Sequence, residues 1–107
     1  MITRIWHGWT TPQNADAYET LLRSEVFKLI WEMQIPGYRG IELLRADQSH
    51  ESEFVTIMRF DTLADVIAFA GDDYEQAFVP PAARSLLKRF DQRSRHYEMR
   101  IRSEVDS

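Results

Sequence analysis

The sequence predicts an α+β fold of the ferredoxin-like type, β-α-β-β-α-β, built on a four-stranded antiparallel sheet. Three observations predict it. Short runs rich in Ile, Trp, Val, Thr and Phe carry strand chemistry, and the last of them alternates with period two. Two other stretches repeat their apolar residues every three or four positions, as amphipathic helices do. Their order along the 107 residues is that of the split βαβ arrangement, in which one sheet carries both helices on one face.

Each element follows from its residues. ITRIWHGWT (2–10) is a short β-favouring run, stopped at Thr11-Pro12 because proline disfavours a helical residue before it. Pro12 then suits a first helical turn. From about Asn14 the chain reads NADAYETLLRSEVFKLIWEM, a long helix with Tyr18, Leu21, Leu22, Leu29, Ile30 and Met33 on its apolar stripe. Asn14 is its expected N-cap, Asp16 meets the positive end of the helix dipole, and Ile35-Pro36-Gly37 ends it. YRGIELLRA (38–46) and FVTIMRFD (54–61) form a hairpin across the polar turn DQSHESE. Thr62 and Asp65 resemble a capping box, with Asp in place of Glu, opening the helix TLADVIAFA on Leu63, Val66, Ile67 and Ala70. Gly71 caps that helix, and Asp72 and Asp73 fit the start of a new turn better than a catalytic acid pair. Pro80-Pro81 begins a short helix, PAARSLLKRF; SRHYEMRIR (94–102) alternates as a half-buried strand, and SEVDS reads as a frayed tail.

Composition narrows the function. The length fits a single domain, 1–107, and 44% apolar residues supply a core. A net charge of −4 argues against a general nucleic-acid binder. The absence of Cys excludes disulfides, thiol catalysis and thiolate metal sites. MITRIWHGWT has no signal-peptide apolar segment, and no run approaches the ~20 apolar residues of a membrane span. A soluble cytoplasmic domain without membrane attachment is expected.

Both faces of the sheet are partly apolar. The third strand divides Phe54, Thr56, Met58 and Phe60 from Val55, Ile57 and Arg59, and the first divides Ile5 and Trp9 from Ile2 and Trp6. An open apolar face commonly marks an interface, so a homodimer packed through the open sheet faces is expected.

Several of these segments resemble the antibiotic-biosynthesis monooxygenase-like group of dimeric α/β barrels. IPGYRGIELLR is similar to that family's entry into strand two, EFVTIMRFDTLADVIAFAG to its third strand and second helix, and RHYEMRI to its closing strand. Phe60 and Thr62 stand where the family often has Trp and Ser. The resemblance implies a dimeric α/β barrel and cofactor-independent oxygenation of a phenolic or quinol-like substrate. The alternative is a non-enzymatic ligand-binding or stress-associated barrel. The haem-degrading branch of the group uses an Asn, a Trp and a His; His7, Phe60 and Val79 or Phe78 stand at those places, so haem degradation is disfavoured.

The candidate chemistry is sparse. His7, between Trp6 and Trp9, is the candidate acid/base, because imidazole titrates near neutrality; a packed, backbone-bonded His is the competing reading. Trp9, Phe60, Tyr74 and Phe78 are the candidate substrate-binding aromatics of a pocket between the sheet and the second helical region, against ordinary core packing for each. The stretch holding Tyr74 and Phe78 would act as a lid. His96 reads as structural, ion-paired or hydrogen-bonded near the dimer seam, and His50 as solvated. No His-x-His or Glu-x-x-His spacing supports a metal, and no phosphate or dinucleotide loop supports a cofactor. The basic run Lys88, Arg89, Arg93, Arg95, Arg100 and Arg102 is interrupted by acids and reads as a solvated face with cross-strand ion pairs.

Overall fold

A computed structural model describes residues 1–105; the tail reading at Asp106 and Ser107 lies outside the described residues. Strand β1 (Ile2–Thr10) is central. It pairs antiparallel with β3 (Ser52–Phe60), which pairs with β2 (Tyr38–Asp47) across the predicted hairpin. The other edge of β1 carries two short strands in succession. β4 (Leu87–Phe90) lies along Gly8–Thr10 and β5 (Arg95–Glu98) along Ile2–Ile5. The sheet therefore has five strands rather than four.

That split corrects two expectations. The helix begun at Pro80-Pro81 is only Pro81–Leu86 (α3), and LKRF, read as helix, turns extended at Leu87 to pair with β1. The closing strand spans Arg95–Glu98 rather than 94–102, because its ladder runs out at Ile2, the first residue of β1. Between β4 and β5 the chain leaves the edge of β1 to meet residues 75–77: Ala77 N–H donates to Gln92, Ser94 N–H donates to Glu75, and Gln76 bridges Arg93.

The long helix α1 (residues 15–32) is α-helical over Ala15–Leu21 and Phe27–Glu32, with a π-helical turn, Leu22–Val26, between them. Its buried stripe is Tyr18, Leu22, Val26 and Ile30. Steps of four residues drift by about 40° each on a 3.6-residue helix. The wider π turn takes up part of that drift and keeps all four side chains over the sheet. Leu29 and Met33, placed on the stripe from sequence, are instead exposed, as is Trp31 at 72%. Asn14 holds the expected N-cap position of α1 but makes no side-chain cap bond there. Thr11 Oγ1 accepts from Asn14 N–H in a 3₁₀ turn (Pro12–Asn14), while the Asn14 side chain donates to the Leu86 carbonyl.

The capping box of α2 (Leu63–Ala70) is formed as predicted by Thr62 and Asp65. Gly71 ends the helix at φ +90°, a conformation that L side chains rarely adopt. Asp73 starts a turn closed by Gln76 N–H and pairs with Arg93 at 2.6 Å. Both helical layers cover one sheet face, where Phe54, Met58, Phe60, Val66 and Phe69 form the core with the α1 stripe. No helix is long and apolar enough to cross a membrane, among the described residues.

Candidate functional site

Alternation along β1 decides the two faces of the sheet. Arg4, Trp6, Gly8 and Thr10 turn toward the helices and are buried, while Ile5, His7 and Trp9 turn to the open side and are half-buried. Gly8 has a steric role: the Trp6 ring lies across it, and a Cβ there would stand 2.6 Å from that ring. Held in this way, the Trp6 indole N–H donates to the Asp91 carbonyl at 2.7 Å.

Over this inner face lies a cavity of about 40 Å³. Trp6 and Met58 form its floor, Val26 and Phe27 of the π turn one wall, and Phe69 and Phe78 another. Cavities that hold drug-sized ligands measure roughly 300–1,000 Å³, so in this closed arrangement there is room for little more than a few waters. Residues 78–80, from a stretch without helix or strand, and the π turn of α1 border the cavity.

The one charged side chain on the cavity wall is Arg4, which is 3% exposed. Its guanidinium donates to the carbonyls of Tyr74 and Gln76 and lies over the Phe69 ring. It also donates to His96 Nε2 at 2.9 Å. Among the described residues its partners include no carboxylate, and burial lowers its pKa to about 10. A guanidinium has no acceptor, so His96 must present the lone pair of Nε2 and carry its proton on Nδ1. Burial, and then repulsion from Arg4, accordingly hold His96 below its ordinary pKa, with Glu75 opposing. Its Nδ1 is buried without a partner, as are the hydroxyls of Ser94 and Thr10. Ser94 lines both the cavity and an outer groove that holds Arg93, Arg95 and His96.

The residues expected to form one pocket are divided by the sheet. Phe78 lines the cavity, and Tyr74 packs beside it, edge-on to His96 at 5.1 Å and giving its carbonyl to Arg4. Phe60 is fully buried in the core between Tyr38 and Phe69 and does not line the cavity. Trp9 and His7 sit on the far side, because odd positions of β1 face away from the helices. There His7 Nδ1 meets Glu53 Oε2 at 2.8 Å, His7 stacks on Trp9, and the Arg89 guanidinium lies 3.9 Å above the Trp9 ring. Neither His7 nor His96 touches the cavity directly, and His96 reaches it only through Arg4. Arg4 is not among the residues singled out from the sequence, although its alternation with Trp6 and Thr10 is legible there. Its neighbour His96 is set by strand register, which the sequence did not show.

The basic run forms ion pairs at four positions: Lys88 and Arg89 reach Glu51, Arg93 reaches Asp73 and Glu75, and Arg102 reaches Glu104. Among the described residues no group of three or more His, Asp or Glu side chains is placed to hold a metal ion.

Fold and inner face together define the class of this protein as a ferredoxin-like α+β unit with a small aromatic cavity between sheet and helices. No family model and no curated protein matches the chain. Among solved structures it is similar to a mutant of MhuD, crystallised with two manganese protoporphyrin IX bound per active site. Identity is 18% over 98% of this chain and 100% of that one, with a TM-score of 0.60. At that identity the likeness shows a shared fold and nothing finer.

Proposed function

We propose that the chain is a small-molecule protein that takes up a phenolic or quinol-like aromatic between its sheet and helices and oxygenates it without a cofactor. The observation that carries the reading is the inner cavity itself, walled by aromatic and aliphatic side chains and holding a single charged group. That a structure of similar fold has porphyrins in its active site supports a ligand at this level of the architecture. In the proposed reaction an activated ring methylene loses a proton and the resulting anion reduces dioxygen. One oxygen atom stays as a ketone and the other leaves as water with the two methylene hydrogens. The protein would supply orientation and a dry environment.

A non-enzymatic, ligand-binding or stress-associated role is the second reading, and one observation favours it: neither His7 nor His96 lines the cavity as a base. Oxygen-electrode measurements with anthrone- and hydroquinone-type compounds separate the two. Saturable uptake with loss of substrate is expected for the oxygenase, and binding without uptake across the panel would leave the second reading. No binding at all would remove both.

The open face supports a proposed homodimer. Ile5, Val55, Ile57 and Leu44 form its apolar middle, while Arg59–Glu42 and His7–Glu53 flank it with charges of both signs, a pattern that suits a second copy of the same face.

A further inference from the structure

Among the described residues Arg4 has hydrogen-bond partners but no carboxylate as countercharge. A buried cation is ordinarily matched by an acid, and leaving one unmatched is strongly unfavourable, so the exception calls for a cause. Two backbone carbonyls and a neutral imidazole take three of its five N–H groups, the Phe69 ring lies beneath it, and its charge stays unbalanced. The acids nearby are committed elsewhere: Asp73 and Glu75 both pair with Arg93. The charge stands at the wall of an otherwise apolar cavity, beside the unpartnered hydroxyl of Ser94.

We propose that Arg4 recognises the acidic head of the ligand, a singly charged organic anion whose apolar body lies among Val26, Phe27, Phe69 and Phe78. This rests on the cavity being the ligand site. The planar fork of the guanidinium suits the paired oxygens of a carboxylate and also serves a phenolate or enolate oxygen. Ser94 adds a hydroxyl donor. An anion gripping the Nη1 and Nη2 end of the fork would take N–H groups now held by the carbonyls of Tyr74 and Gln76, so the head group competes with the stretch that closes the cavity. Charge on the ligand thereby becomes the means of opening its own site. Arg4 is a binding residue in this scheme, and His96 positions it.

Three probes test this on the full chain: benzoate, its neutral isostere benzamide, and 4-nitrophenol, whose anion is yellow and whose acid is colourless. Benzoate should bind at least about tenfold more tightly than benzamide, by calorimetry or Trp fluorescence. Bound 4-nitrophenol should ionise at lower pH than the free compound, and comparing it with benzoate separates a phenolate ligand from a carboxylate one. Arg4→Gln should abolish both effects and Arg4→Lys should restore part of each. Equal binding of benzoate and benzamide by the wild-type chain overturns the inference while leaving the cavity reading intact. An unchanged or raised pKa of bound 4-nitrophenol, with benzoate still preferred over benzamide, supports a carboxylate head and removes the phenolate one. If none of the three binds, both fail. The wild-type comparison stands even if a variant does not fold.

Discussion

The two faces of one sheet divide this molecule's physics between them. The inner face is packed by Phe54, Phe60 and Met58 against α1 and α2, yet it also holds the lone charge of Arg4. The outer face carries paired charges, as in His7–Glu53 and Arg59–Glu42, and leaves its apolar side chains half-covered. Stability and ligand chemistry should therefore respond to inner-face changes, and assembly to outer-face changes. A sheet folded alone would show no such division; it arises because the helices cover one side only.

The largest test of that contrast is Phe60→Ala. The side chain is fully buried among Tyr38 and Phe69, so its loss should cost about 3–5 kcal/mol in urea unfolding. Trp9→Ala on the outer face should cost the monomer much less, and equal losses would erase the distinction. Next is Gly8→Ala, which places a methyl 2.6 Å from the Trp6 ring. About 1–3 kcal/mol of destabilisation and altered Trp fluorescence are expected.

Ile57→Asp addresses the outer face. The proposed dimer should dissociate to monomers in sedimentation or native mass spectrometry, with inner-face ligand binding retained. A wild-type chain that is already monomeric would remove the dimer proposal.

A smaller effect is the pH dependence from His96. Its folded pKa lies below its ordinary value, so as pH falls the unfolded chain takes up the proton first. Stability should be fully present above about pH 6.5 and be lost as pH drops toward the lower folded pKa. Urea midpoints across that range would measure it, with Arg4, Tyr74 and Glu75 as the groups facing the ring. His96→Gln retains an acceptor for Arg4 and should flatten the slope; an unchanged slope would assign it to another group.

The smallest change is expected from His7→Ala. Its pair with Glu53 is half-exposed, and such pairs contribute roughly 0–1 kcal/mol. Binding at the inner cavity should be unaffected. Loss of oxygen uptake in this variant, with the dimer intact, would instead return the acid/base role to His7.

Much of the fold was legible because it is written in local patterns. The hairpin of β2 and β3, the capping box at Thr62 and Asp65, and the stop at Gly71 all rest on neighbours within a few residues. The errors fall where local preference was overruled. LKRF is a good helix continuation, but the edge of β1 needed a partner, and ladder hydrogen bonds outweigh a weak propensity. Leu29 and Met33 fit a regular helical stripe, and the π turn in α1 rotates that stripe away from them.

The site was harder to read for the same reason. Residue types and the alternation of β1 sufficed to place Phe78 near a pocket and to make a face of Trp6, whereas the pocket expected around Trp9 and Phe60 required knowing which face the helices cover. Only tertiary structure could decide that β5 sets His96 opposite Arg4, and that the strand break at 91–94 brings the carbonyls of Tyr74 and Gln76 to the guanidinium. The sequence by itself determined the elements, their order and the apolar supply for a core, because those depend on short-range periodicity and capping. Tertiary structure alone decided which charge was buried without an acid, since burial and pairing belong to contacts between residues distant in the chain.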